Sequence, residues 1–197
     1  MAKKYVAITG GIGSGKSAVL EILRGLNYPV FSCDEIYKEV IQSAAYIEKV
    51  QALFPGVVKD GCIDRKGLGK VVFNDKERLK ELNDLAHPLI MAVLIQCMNE
   101  SQGEIVFAEV PLLFEGNFEN LFNEVLYITR DNDQRIAAIV DRDKISADDA
   151  QKRIDSQFDG ASIEGKRRLK NCNAKVIDNN KTKEDLKNTI LDYLSRS

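Results

Sequence analysis

The stretch Gly10-Gly11-Ile12-Gly13-Ser14-Gly15-Lys16-Ser17 decides how this chain is read. It satisfies G-x-x-x-x-G-K-[ST] at every defined position. Before it lies a short apolar, β-branched run, Tyr5-Val-Ala-Ile-Thr9, and after it apolar residues recur at helical spacing, at Val19, Leu20, Ile22, Leu23 and Leu26. Strand, glycine-rich turn and helix in that order are the context that gives the pattern its meaning. The glycines let the backbone curl until successive N–H groups face one anion, and the helix that follows adds its positive N-terminus. Lys16 would set an ammonium against the β- and γ-phosphates, and the Ser17 hydroxyl would ligate Mg²⁺. Gly11, Ile12, Gly13, Ser14, Gly15, Lys16, Ser17 and Ala18 are therefore the expected nucleotide-binding set. The loop alone does not say what becomes of the nucleotide, because hydrolases, switches, motors and kinases share it.

Outward from the loop, strand-like runs return at Pro29-Val-Phe31, Ile105-Val-Phe-Ala108, Glu124-Val-Leu-Tyr-Ile-Thr129 and Ala174-Lys-Val-Ile-Asp178. They alternate with helical patterns, which predicts a parallel sheet covered on both faces. Residues 34–100 read as a long helical excursion, interrupted by Phe54-Pro55-Gly56, by Lys59-Asp60-Gly61 and by His87-Pro88. Residues 131–171 are helical and polar and concentrate cations, among them Arg135, Arg142, Arg153, Arg167 and Arg168. No internal repeat or low-complexity tract is visible.

Composition narrows the classes. The chain has 197 residues, and its 28 Lys and Arg against 30 Asp and Glu give a net charge of −2. That length fits one core with insertions, and the balance supplies no global positive field for a nucleic-acid backbone. The longest apolar stretch, Pro88 to Ile95, is far short of the ~20 residues that span a bilayer. Met1-Ala-Lys-Lys4 leads into a strand with no signal-peptide core, so a cytoplasmic protein is expected. Cysteines at 33, 62, 97 and 172 with the single His87 make no zinc or disulfide pattern, and buried free thiols are expected.

Size disfavours large ring and transporter ATPases, and a small kinase is favoured. Such an enzyme needs a base for the acceptor hydroxyl and positive charge around the transferring group. Asp34, just past the second strand, is a candidate base at the carboxyl edge of the sheet. It is equally a candidate N-cap for the helix beginning at Glu35. Glu109 closes the third strand where a Mg²⁺-associated carboxylate would sit, or is a satisfied polar residue at a strand end. Arg142 is the chosen cation of a lid that closes over the phosphates, the other charges of 131–171 forming solvated helix faces.

Taken together, Thr9 to Ser17, Asp34, His87-Pro-Leu-Ile90, Val110-Pro-Leu-Leu-Phe-Glu115, Arg142-Asp143, Ser156-Gln157 and Ile177-Asp-Asn179 resemble the dephospho-CoA kinase family in order and spacing. The resemblance implies transfer of the ATP γ-phosphoryl to the ribose 3′-hydroxyl of dephospho-CoA, with Mg²⁺. It implies a P-loop fold with a doubly wound sheet of five parallel strands: a core of about 1–33, 101–130 and 172–197, a helical substrate-binding insertion at 34–100 and a helical lid at 131–171. By position it makes Asp34 the base and Lys16 and Arg142 the groups that stabilise the phosphoryl. It puts His87, Leu112 and Phe114 on the dephospho-CoA side and Asn179 near the adenine. Two departures from the family pattern stand out. Ser32 and Cys33 stand where Asp-Ala precedes the base, and Ala138 stands where an arginine is common, with Arg135 on the same helical face as its substitute. A nucleoside or nucleotide kinase and a non-catalytic nucleotide switch are the alternatives, the partner is a small molecule, and monomer is the default.

Overall fold

The computed structural model describes residues 3–73 and 75–196. Five strands form one sheet: β1 (Lys4–Thr9), β2 (Val30–Ser32), β5 (Ile105–Glu109), β6 (Glu124–Thr129) and β7 (Ala174–Asp178), in the order β2-β5-β1-β6-β7. β1 pairs in parallel with β5 on one side and β6 on the other, and β6 in parallel with β7. Val6, Ala7 and Ile8 are wholly buried, as expected of a central parallel strand covered on both faces.

One face of the sheet is closed by α1 (Lys16–Gly25) and α9 (Lys183–Ser195). Val6, Ile8, Phe107, Leu126, Ile128 and Ile177 pack there against Val19, Leu20 and Leu23 of α1 and Leu186 and Ile190 of α9. Fully burying one such side chain is worth roughly 1.5–3 kcal/mol, and this cluster fixes the start of α1 at the carboxyl end of β1. Between β6 and β7 come α6 (Asn132–Asp143), α7 (Ala147–Asp155) and α8 (Ile163–Asn171). Many of their charges are exposed and paired one turn apart, as in Lys144–Asp141, Lys152–Asp149 and Arg167–Glu164.

The chain divides into one compact unit of residues 1–30 and 100–197 and a second of residues 31–99. The second contains α2 (Cys33–Val40), α3 (Ala44–Leu53), a hairpin of β3 (Val58–Lys59) and β4 (Cys62–Ile63), α4 (Arg65–Val72) and α5 (Lys76–Glu100), whose last residue belongs to the first. The hairpin falls at the expected interruption Lys59-Asp60-Gly61, where no strand was expected. Asp60 and Gly61, with φ of 51° and 74°, are the two left-handed residues that a tight turn between twisted strands requires. The expected break at His87-Pro88 is absent, and α5 runs through Pro88. Proline forfeits one helical hydrogen bond, but Ala86, Ile90, Met91, Leu94 and Met98 are buried on either side and keep the helix in register. The cysteines form no disulfide among the described residues, as expected, but are not buried as expected: Cys62 is exposed and the other three are half-buried. No described helix is long and apolar enough to cross a membrane.

Candidate active site

Helices α2, α3, α4, α7, α8 and α9 each begin with a Ser, Thr or Asp whose side chain accepts a backbone N–H of the first turn. α1 begins differently. Its N-cap is Gly15 in the left-handed region at φ 93°, with no side chain to close the helix end. The Ala18 N–H is taken by the Gly15 carbonyl at 3.1 Å, and a helix start without a side-chain cap is one that an anion can close.

The loop is held from several directions. Asn179 Nδ2 donates to the Ser14 carbonyl at 2.8 Å and occupies the space a Cβ on Gly15 would need. Arg135 Nε donates to the Ile12 carbonyl at 3.0 Å, and its guanidinium lies where a Cβ on Gly11 would fall. Gln157 Oε1 accepts the Ile12 N–H at 2.6 Å. Lys16 Nζ donates to the carbonyls of Gly10 at 2.8 Å and Gly11 at 3.3 Å, so its ammonium rests inside the curl. Ser14 Oγ is buried and has no partner among the described residues. A buried orphan of this kind suits a cradle completed by a ligand.

Arg135 reaches the loop because the start of α6 is tied down. Asp131 and Asn180 exchange two hydrogen bonds, of 2.7 and 2.9 Å, and Gln134 Nε2 donates to the Asn180 carbonyl. Burial lowers the pKa of the Arg135 guanidinium, opposed by nearby Tyr127 and Asp159. Arg142, at the other end of α6, is placed otherwise. It is exposed, and its Nε donates to Asp143 at 2.7 Å; Arg153 shares that carboxylate at 2.6 Å. The structure thus brings Arg135 to the phosphate loop and pairs Arg142 with its neighbour.

Ser17 is exposed in the first turn of α1, and Glu109 ends β5 in register with Ile8, one strand from the loop. Among the described residues no three His, Cys, Asp or Glu side chains converge on a metal site. Leu112 is 41% exposed, but Phe114 is 2% exposed. The Phe114 ring stacks on Phe158 with centroids 4.0 Å apart, and Arg168 lies over both rings. Phe114, expected on the acceptor side, is packed into the core.

In the unit of 31–99, Ser32 and not Asp34 caps α2, accepting the Asp34 N–H at 3.3 Å. Asp34 sits in the first turn, exposed, and its carboxylate meets no protein group among the described residues. On a helix, positions three and seven residues further on share its face, and these are Tyr37 and Ile41. Both line a cavity of about 630 Å³ with Tyr46, Cys62, Leu68 and Phe73, and with Arg65 among its polar members. His87 is half-buried in α5, outside that lining, and burial lowers its pKa against the opposing pull of Asp84. The sequence reading passed over Arg65 and the cavity, which no local pattern marks.

Comparison with known proteins identifies the family. The family model described as dephospho-CoA kinase matches residues 4–185. A dephospho-CoA kinase of Fusobacterium nucleatum subsp. nucleatum is 32% identical over 188 residues, covering 94% of each chain. A Thermus thermophilus protein of known crystal structure superposes with a TM-score of 0.81 at 30% identity, over 100% of this chain and 98% of the other. A dephospho-CoA kinase from Campylobacter jejuni does so with a TM-score of 0.63 at 30% identity, over 98% and 97%.

Proposed function

The chain belongs to the dephospho-CoA kinase family and phosphorylates dephospho-CoA with ATP to give coenzyme A, and on that premise we propose how its residues divide the work. Coenzyme A differs from its precursor by a phosphate on the ribose 3′-oxygen, so that hydroxyl is the acceptor. As its oxygen bonds the γ-phosphorus and the bond to ADP breaks, the hydroxyl proton passes to the Asp34 carboxylate. The loop amides and Lys16 hold the β- and γ-phosphates. Arg135, already at the loop, neutralises charge in the bound nucleotide, and Arg142 exchanges Asp143 for the transferring phosphoryl. Ser17 and Glu109 would hold Mg²⁺, which when bound spreads the charge of the phosphates.

On the acceptor side, the face of α2 that begins with Asp34 continues into the cavity. Its size is in the range of small-ligand sites, and its apolar lining suits the pantetheine arm, with Arg65 for the diphosphate. Leu112 adds apolar surface. His87 serves as a neutral hydrogen-bonding group, since burial disfavours its cation. The reading extends to a cytoplasmic monomer acting on a small molecule and not on nucleic acid or a membrane; the net charge of −2 supports its nucleic-acid part.

One observation carries the assignment of the base: a capped helix start that presents an unpartnered carboxylate immediately after a sheet strand. Asp34→Asn, nearly isosteric, is expected to cut kcat by about 10²–10⁴ while ATP affinity and thermal stability stay as in the wild type. Coenzyme A formation followed by chromatography, with ATP titrated by calorimetry, checks it. Wild-type turnover in this variant would remove Asp34 from the chemistry.

A further inference from the structure

The Ser156-Gln157 element has no place in the division of labour above, yet it makes a short contact with the phosphate loop. The Ile12 N–H donates to Gln157 Oε1 at 2.6 Å, across 145 residues of sequence, while Arg135 takes the carbonyl of the same residue. Ile12 is thus held at both of its backbone polar groups. The Ser14 N–H is used within the loop, by the Gly11 carbonyl at 3.2 Å. Among the described residues the N–H groups of Gly13 and Gly15 meet no protein acceptor. Occupied and open amides thus alternate along the loop, the Ile12 N–H being the one that Gln157 takes.

Gln157 is itself mounted rigidly. The N–H of the next residue, Phe158, donates to Glu115 Oε1 at 2.9 Å, and the Phe158 ring is stacked on Phe114 and set edge-on to Tyr127 at 6.0 Å. Arg168, ion-paired to Glu119, covers both phenyl rings. Where Gln157, Phe158, Gly10 and Gly11 meet, the remaining space is only about 10 Å³. That is about the room of a single water.

We propose that Gln157 is a positioning residue for ATP: its side-chain oxygen fixes the Ile12 peptide so that the amides of Gly13 and Gly15 stay turned toward the phosphates. It acts through the loop and touches neither the acceptor nor the transferred group. The inference rests on the reading of residues 10–17 as the ATP phosphate site and adds what keeps that site in shape.

The small free volume gives a test that a packing role would fail. Gln157→Met keeps the volume, loses the acceptor and shuts water out, leaving the Ile12 N–H unsatisfied; Gln157→Ala opens room for a water to accept it. An unmade buried hydrogen bond costs more than one replaced. The Met variant is therefore expected to raise the KM for ATP about tenfold and the Ala variant by less, with the KM for dephospho-CoA unchanged in both. Amide exchange at Ile12 should quicken in both variants, since the bond that protects it is gone. A Met variant with wild-type KM for ATP, an Ala variant worse than Met, or equal rises in both KM values would overturn the proposal. Lys16→Ala serves as the control. If it weakens ATP binding while Gln157→Met leaves it intact, the loop reading stands and the role of Gln157 falls; if it too binds ATP like the wild type, both fall together.

Discussion

In the unit of 31–99 the carboxylate of Asp34 meets no protein group among the described residues, and Tyr37 and Arg65 of the same unit are exposed. In the unit that contains the phosphate loop, Ile12 and Ser14 are each held from parts of the chain more than a hundred residues away. A curled backbone with its N–H groups turned to one side leaves carbonyls and amides that helix or sheet cannot satisfy, and the rest of the fold must do so. An exposed carboxylate is satisfied by water and stays free to take a proton. The side proposed to receive ATP is therefore assembled in advance, and the side proposed to carry the base is left open.

Substitutions should respect that division. The largest effect after that of Asp34 is expected at Arg142. Arg142→Ala should lower kcat by about 10²-fold with the KM for ATP little changed, because a charge that is paired with Asp143 at rest acts only on the transferring group. Arg135→Ala should do the reverse, raising the KM for ATP about tenfold and lowering kcat only several-fold, since its contact with the loop already exists. Steady-state kinetics on the two variants separate these cases, and equal changes in both would erase the distinction between a placed and a recruited cation.

Smaller effects are expected in the unit of 31–99. Ser32→Ala removes the cap of α2 and should cost about 1 kcal/mol in a urea denaturation, while kcat changes less than in Asp34→Asn. A loss of turnover as large as that of Asp34→Asn would mean that the cap, not the carboxylate, matters. The smallest effect concerns His87. Its folded pKa lies below the ordinary 6.5, so between those values the unfolded chain binds more protons than the folded one. Stability is then fully present above about pH 6.5 and declines as pH falls below it. Urea midpoints at pH 5.5 and 7.5 should differ less in His87→Gln than in the wild type; an equal difference would place the titration elsewhere.

Much of the first unit was legible in advance because its signals are local. The strand-loop-helix order around Lys16, the five apolar runs and the solvated faces of 131–171 each depend on the period of side chains along a few turns or pleats. The unit of 31–99 was read less well. The hairpin strands are two residues each, too short for any alternation to register, and Pro88 outweighed the apolar stripe of α5 on paper but not in the fold. At the start of α2, Ser32 and Asp34 are both good caps. Which one serves depends on where β2 releases the chain.

The sequence by itself pointed to a nucleotide-binding loop at residues 10–17 on a parallel sheet, because loop curl, strand burial and helix amphipathicity are written into neighbouring residues. Only the tertiary structure decided which distant side chains complete that loop. Arg135 rather than Arg142 lies at it, Gln157 holds an amide, Asn179 holds a carbonyl, and Phe114 is buried as the footing beneath Phe158. Contacts across 123, 145 and 165 residues leave no periodic trace. They exist because the sheet brings the carboxyl ends of its strands together and the buried polar atoms there must each find a partner.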